Sequence, residues 1–175
     1  RHIVITKDGN YAYLSHMRGN AISKIDLTKF TSILEAAVAN KKTQLAASVW
    51  NEILTPIGDN AKIMVLEDYP ADHPNFAGKK WNLAHPNTIV LDPVNNRYLY
   101  VSHRTTSNKN YEIIDPKIKG KIDIIDLQNG RIVMSLVGGS QPTALDVSVD
   151  NSLLVSAGFK GSKLYFYDLK RILSI

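Results

Sequence analysis

The sequence predicts a mainly β fold: a partial β-propeller of about three four-stranded blades, with a helical hairpin inserted in the first. Three observations carry this. Segments "AISKIDL" (21–27), "KIDIIDL" (121–127) and "KLYFYDL" (163–169) alternate in polarity and close alike on Asp-Leu. Each follows a second strand-like run, "YAYLSH", "YLYVSH" or "LLVSAG", and before that an apolar run ending in an Asp-, Asn-, Gly- or Pro-bearing turn. Asp126 and Asp168 stand 42 positions apart, the spacing of one propeller blade at roughly 40–45 residues.

Taken in order, "IVITKDGN", "YAYLSH" and "AISKIDL" form the first three strands. Asp26 and Asp126 lie 100 positions apart, one period plus an insertion of about 58 residues. Within 28–56, Phe30, Ile33, Leu34, Ala37 and Val38 follow helical spacing, and Leu45, Val49, Trp50, Ile53 and Leu54 make a second apolar face. The insertion therefore reads as a helical hairpin, packed on the blade or acting as a docking arm. "AKIMVLED" (61–68) supplies the fourth strand, and 69–84 is a long loop rich in Pro, Gly and aromatics. The second blade runs "IVLDPVNN", "YLYVSH", "KIDIIDL" and "RIVMSLV", the last launched by "QNG". The third begins at "QPTALDVSVDNS" and stops at "KRILSI", near where its fourth strand is due. Residues 1–175 thus read as a single propeller segment. Rings close with about four to eight blades, so the chain is expected to be a fragment of a larger propeller, or to have its missing blades supplied by other chains.

Composition narrows the chemistry. No cysteine is present, which excludes disulfides, thiolate catalysis and Cys-based zinc sites within the chain. The net charge of +5 comes from scattered lysines. Without a clustered stripe and interleaved aromatics, nucleic-acid binding is not expected. No run of eighteen apolar residues exists, so no membrane-spanning segment is expected. The opening "RHIVITKDGN" lacks a signal peptide's apolar core and reads as the start of a mature, processed or partial chain.

Several residues qualify as site candidates. Asp26, Asp126 and Asp168 recur once per repeat, so their expected duty is to accept backbone N–H bonds in the turn after each third strand. His16 and His103 end matching strands, and a ring nitrogen can close the turn that follows. His85 precedes an inner strand, where Gln141 holds the matching place in "SQPTA", and His2 opens the first inner strand. Histidines converging at one mouth would suit copper or a haem, which makes His2 and His85 candidate cofactor ligands. Asp68, Asp72 and His73 in "DYPADHP" are candidate ligands for a divalent metal. No catalytic signature such as G-x-S-x-G, a P-loop or H-E-x-x-H appears, so whether the chain is an enzyme stays open.

The stretch "IVLDPVNNRYLYVSH…GKIDIIDLQNGRIVMSLVGGSQP" resembles the YVTN-type β-propeller repeat, with "YVSH" standing for Tyr-Val-Thr-Asn and "IIDL" for Val-Ile-Asp. The third copy fits as well, and the resemblance spans the ends and second half of the chain but not 28–83. It implies the quinoprotein amine dehydrogenase-like propeller class and an exported protein of the periplasm, cell surface or extracellular space. Three functions are compatible with it. One is a scaffold or binding domain that works through protein or ligand contacts at the mouth or the helical insertion. Another is a propeller domain or subunit of an exported redox metalloenzyme of copper, haem or quinone type. The third is a repeat-built cell-surface structural protein.

Overall fold

The computed structural model describes residues 2–17, 19–42, 46–59, 62–66, 85–104, 119–159 and 162–174. They form three antiparallel sheets, each an up-and-down blade. The first blade is β1 (Ile3–Ile5), β2 (Tyr11–His16) and β3 (Ala21–Asp26), joined through helices α1 (Leu27–Ala39) and α2 (Val49–Ile53) to β4 (Leu54–Thr55) and β5 (Ile63–Val65). Both short strands pair with β3: β4 at Lys24 and Ile25, β5 at Ala21 to Ser23. The fourth strand is therefore present in two pieces. The second blade is β6 (Pro86–Leu91), β7 (Tyr98–His103), β8 (Lys121–Asp126) and β9 (Arg131–Val137). The third is β10 (Pro142–Val147), β11 (Leu153–Gly158) and β12 (Lys163–Asp168). After β12 the chain enters a helix, α3 (Leu169–Leu173), instead of a fourth strand. Buried Leu169, with Ile172 and Leu173, packs there on the core shared with the second blade.

Strand alternation sorts the side chains into two inter-blade cores. Tyr13, Ile22, Met64 and Leu66 of the first blade meet Ile89, Leu99, Val101 and Ile125 of the second. The opposite register of the second blade, Tyr100, Ile122 and Ile124, meets Leu145 and Leu154 of the third. The middle blade is covered on both faces, so all six residues of β8 are buried, polar ones included. Its outermost strand, β9, shows simple exposed–intermediate alternation. Inner strands β1, β6 and β10 stand side by side, and this is the arrangement of a propeller around its axis.

The helical hairpin lies on the face of the first blade that looks away from the second. Ala12, Ile25 and Ile53 are its buried centre, with Phe30, Ile33, Val49 and Leu54 packed around them. Only part of the expected apolar stripe is covered. Ala37 is buried, while Leu34 is 44% and Val38 68% exposed. At about 100° per residue, Phe30, Ile33 and Ala37 cluster on one line, and Leu34 and Val38 fall progressively to its side. Trp50 of the second face is also exposed, and Leu45 lies outside the described residues.

The three repeated aspartates receive backbone donors. Asp26 Oδ1 accepts N–H bonds from Thr28 at 3.0 Å and Lys29 at 3.2 Å, capping α1. Asp126 Oδ1 accepts from Gln128 at 2.9 Å, and Asp168 Oδ1 from Arg171 at 3.1 Å, capping α3. Asp26→Ala should lower stability by about 1 kcal/mol, read as an earlier urea midpoint. An unchanged midpoint would show that α1 is held by packing alone.

Candidate functional site at the propeller mouth

Equivalent positions in the blades follow from one recurring backbone bond. Thr6 N–H donates to Tyr11 O, Asp92 N–H to Tyr98 O, and Ser148 N–H to Leu153 O, at 2.8–2.9 Å. Counting back from these turns makes His2, Thr88 and Ala144 equivalent, and likewise Asn87 and Thr143. A second bond recurs just past the second strand. Arg104 N–H donates to His85 O at 3.0 Å, and Phe159 N–H to Gln141 O at 2.9 Å. Arg104 and Phe159 are therefore also equivalent.

These three repeat positions build a cavity of about 440 Å³, lined by His2, Asn87, Thr88, Arg104, Thr143 and Phe159. It sits where the inner strands begin. Side chains tie those strands together, because inner edges of neighbouring blades share no ladder. His2 Nδ1 lies 2.9 Å from Ile89 O and 3.1 Å from Ile89 N, linking the first blade to the second. Ser15 Oγ donates to Asn87 O at 3.0 Å and accepts the His2 N–H at 3.0 Å. Asn87 Nδ2 donates to Thr143 O at 3.2 Å, and Thr88 Oγ1 donates to the same carbonyl, linking the second blade to the third. A cavity of about 640 Å³ at the other end of the inner strands is more apolar in character, with Ile5, Val90, Val147 and Val149 beside Lys7 and Asp92.

The structure disperses the sequence candidates. The His2 ring lines the cavity and is anchored at Ile89. His85 is buried and lends its carbonyl to Arg104, but is not among the described lining residues. Asp68, Asp72, His73 and the loop 69–84 lie outside the described residues. Among the described residues no three His, Cys, Asp or Glu side chains gather as a metal-holding group. His16 and His103, expected to close turns, hold different partners. His16 Nε2 lies 2.7 Å from Ser23 Oγ, and burial lowers its pKa. His103 is wholly buried, with Nε2 2.9 Å from Asp123 Oδ2, and Lys121 Nζ reaches the same oxygen at 2.9 Å. Ser135 Oγ donates to Asp123 Oδ1 at 2.6 Å. By register these groups share the face of the second blade that looks toward the first. Burial pushes the Asp123 carboxyl up, but the charges of His103 and Lys121 with hydrogen bonds from His103 and Ser135 outweigh it and hold the pKa at about 2.

The residues that sequence reasoning missed are Arg104, Phe159, Asn87, Thr88 and Thr143. Arg104, Phe159, Asn87 and Thr88 flank the strand motifs, and Thr143 sits inside one without a distinguishing signal.

Comparison with known proteins supports the class of fold. No family model matches the chain. Antigen Lp49 of Leptospira interrogans is 36% identical over 83 residues, 47% of this chain and 18% of its own. A putative 6-phosphogluconolactonase from Bacteroides fragilis aligns over 96% of this chain and 34% of its own, with TM-score 0.55 and 16% identity. The periplasmic gluconolactonase PpgL of Pseudomonas aeruginosa covers 96% and 35%, with TM-score 0.53 and 14% identity. Sqt1 of Chaetomium thermophilum covers 97% and 32%, with TM-score 0.52 and 14% identity. The chain spans about a third of each solved structure and under a fifth of Lp49. At such identities the structural likeness concerns fold alone. With the blade geometry, it makes this chain a β-propeller segment, without separating the YVTN-type repeat from other propeller repeats. No helix among the described residues is long and apolar enough to cross a membrane.

Proposed function

We propose that the chain works as a β-propeller scaffold that docks a further β-sheet layer on the outward face of its third blade. The observation that carries this is the exposure of that face: Leu164 at 61% and Phe166 at 62%. In the first two blades the corresponding register is buried as inter-blade core. The face therefore continues an interface the fold already uses twice, and its fitting partner is a sheet presenting an apolar side. An apolar face of this kind calls for a cover, supplied by a further blade of the same polypeptide or by a partner. Gluconolactonases and Sqt1 share this fold, so the fold does not dictate a reaction.

Sedimentation velocity across a concentration series tests the docking face. The wild-type chain should self-associate as concentration rises, because the apolar face finds itself. The variant L164K/F166K should sediment as a monomer with unchanged circular dichroism. A wild-type chain that stays monomeric into the millimolar range would sink the proposal, as would a variant that associates equally well.

A further inference from the structure

We propose that the outer edge of β12 binds an extended segment of a partner chain as a fourth, antiparallel strand. The segment carries a basic residue at its start, an acidic residue at its end and apolar residues at alternate places between them.

The repeat sets the expectation. Leu27 N–H donates to Asn10 O, Leu127 N–H to Arg97 O and Leu169 N–H to Ser152 O, at 2.8–2.9 Å. This shared bond makes β3, β8 and β12 equivalent third strands. β3 carries β4 and β5 on its outer edge, and β8 carries β9. Among the described residues β12 pairs with β11 alone. Its outward N–H and C=O groups therefore stand in an open row. α3 does not fill it, because Leu169, Ile172 and Leu173 take the chain onto the core shared with the second blade. Every other described strand already has its place in a blade, so the fourth strand is left for a partner to supply.

Open edges are normally blunted, and the other two blades follow that rule. The first blade's outer strand is broken into pieces of two and three residues. β9 meets β8 with a register shift between Ile124 and Ile125. β12 has neither device. Its six residues keep an unbroken register with β11 and include no proline, and its charges, Lys163 and Asp168, stand at the two ends. Such an edge is a template for strand addition.

The template also selects. In the second blade, β9 places Arg131 opposite Asp126. Asp126 and Asp168 are equivalent, so a strand added in the same register sets its first residue opposite Asp168. Its sixth then falls opposite Lys163 and meets an ammonium. Its third and fifth fall opposite Phe166 and Leu164, both exposed, where cross-strand pairing favours β-branched or aromatic side chains.

The peptide RTVTVE meets these demands. EVTVTR has the same composition but sets like charge against like. Amide hydrogen exchange and nitrogen-15 NMR on the dilute chain read the edge directly. Millimolar RTVTVE should shift β12 amides and slow exchange at every other one, since only alternate N–H groups of an edge strand point outward. EVTVTR should bind at least about threefold more weakly, as should RTVTVE to K163E. RTVTVE N-methylated throughout should not bind. Retained spectral dispersion in K163E separates lost binding from lost fold. Absent shifts, an unweakened K163E, equal binding of EVTVTR or of the N-methylated peptide, or protection confined to β9 would each overturn the proposal. So would protection of alternate β12 amides that grows with chain concentration alone, which would give the edge to a second copy. Face docking is read by sedimentation and leaves these edge N–H groups to exchange, so either proposal can fail without the other.

Discussion

Asp123→Asn should destabilise the chain by about 3–5 kcal/mol, the largest effect expected of any single polar change here. Asp123 is fully buried, between His103 at 0% and Lys121 at 3% exposure. Its Oδ2 atom alone receives both at 2.9 Å. Removing the carboxylate strands positive charge in a low-dielectric interior, and that costs more than losing a favourable contact. Asn offers one acceptor oxygen where the carboxylate offers two, so it cannot serve both Ser135 and the cations. Urea denaturation of wild type and variant measures the difference. A loss under about 1 kcal/mol, as for exposed ion pairs, would refute the buried network.

The same carboxyl gives a pH signature with a definite sign. Its folded pKa is about 2, below the ordinary 3.8. The stability it supplies is therefore fully present above the unfolded value, declines as pH falls through the interval, and is lost once pH drops below the folded value. The acid-sensitive share is roughly 2 kcal/mol. Asp8, Asp26 and Asp150 also have lowered values, but all three remain in the variant. The wild-type minus Asp123→Asn difference should thus shrink on acidification, and a pH-independent difference would contradict the assignment.

This network was not legible in the sequence, and the reason is physical. In "KIDIIDL" the residues Lys121 and Asp123 alternate with isoleucines and read as the solvent side of a half-buried strand. The middle blade is sandwiched, so both sides are interior. His103 comes from the neighbouring strand, at a register that no local pattern encodes. The repeat itself was legible because turn chemistry, period-two alternation and blade spacing are all local. The helical insertion was legible in place, but which edge of its stripe is covered depends on the tilt against Ala12 and Ile25. The mouth was half legible. His2 was singled out, whereas Arg104 and Phe159 follow "YVSH" and "LVSAG" just past the aligned motif. Pairing Arg104 with Phe159 takes the strand register, which sets His103 level with Gly158.

Gly58→Ala should cost about 3 kcal/mol or more, combining left-handed strain with a backbone collision. Residues 56–59 leave β4 and cross to the second blade, where Ile57 is buried in the inter-blade core. Gly58 has φ of +56° and lies against the turn between β8 and β9. A Cβ there would meet the Asn129 carbonyl carbon at 2.1 Å and the Gly130 nitrogen at 2.2 Å. Those atoms belong to a tight turn pinned by Gly130 N–H to Asp126 O at 2.8 Å, so they do not yield as a side-chain tip would. The loop must lift instead, drawing Ile57 from the core and breaking the Asp59 N–H bond to Asn129 O. Gly9→Ala is the matched control. Gly9 also has positive φ, +74°, but nothing lies within 4 Å of its Cβ position, so it should show only the strain, about 1 kcal/mol. The excess of Gly58 over Gly9 in urea denaturation measures how tightly the first blade's divided outer strand is clamped to the second blade. Equal losses at the two glycines would mean that the crossing loop is loose and that the blades are joined through their strand faces alone.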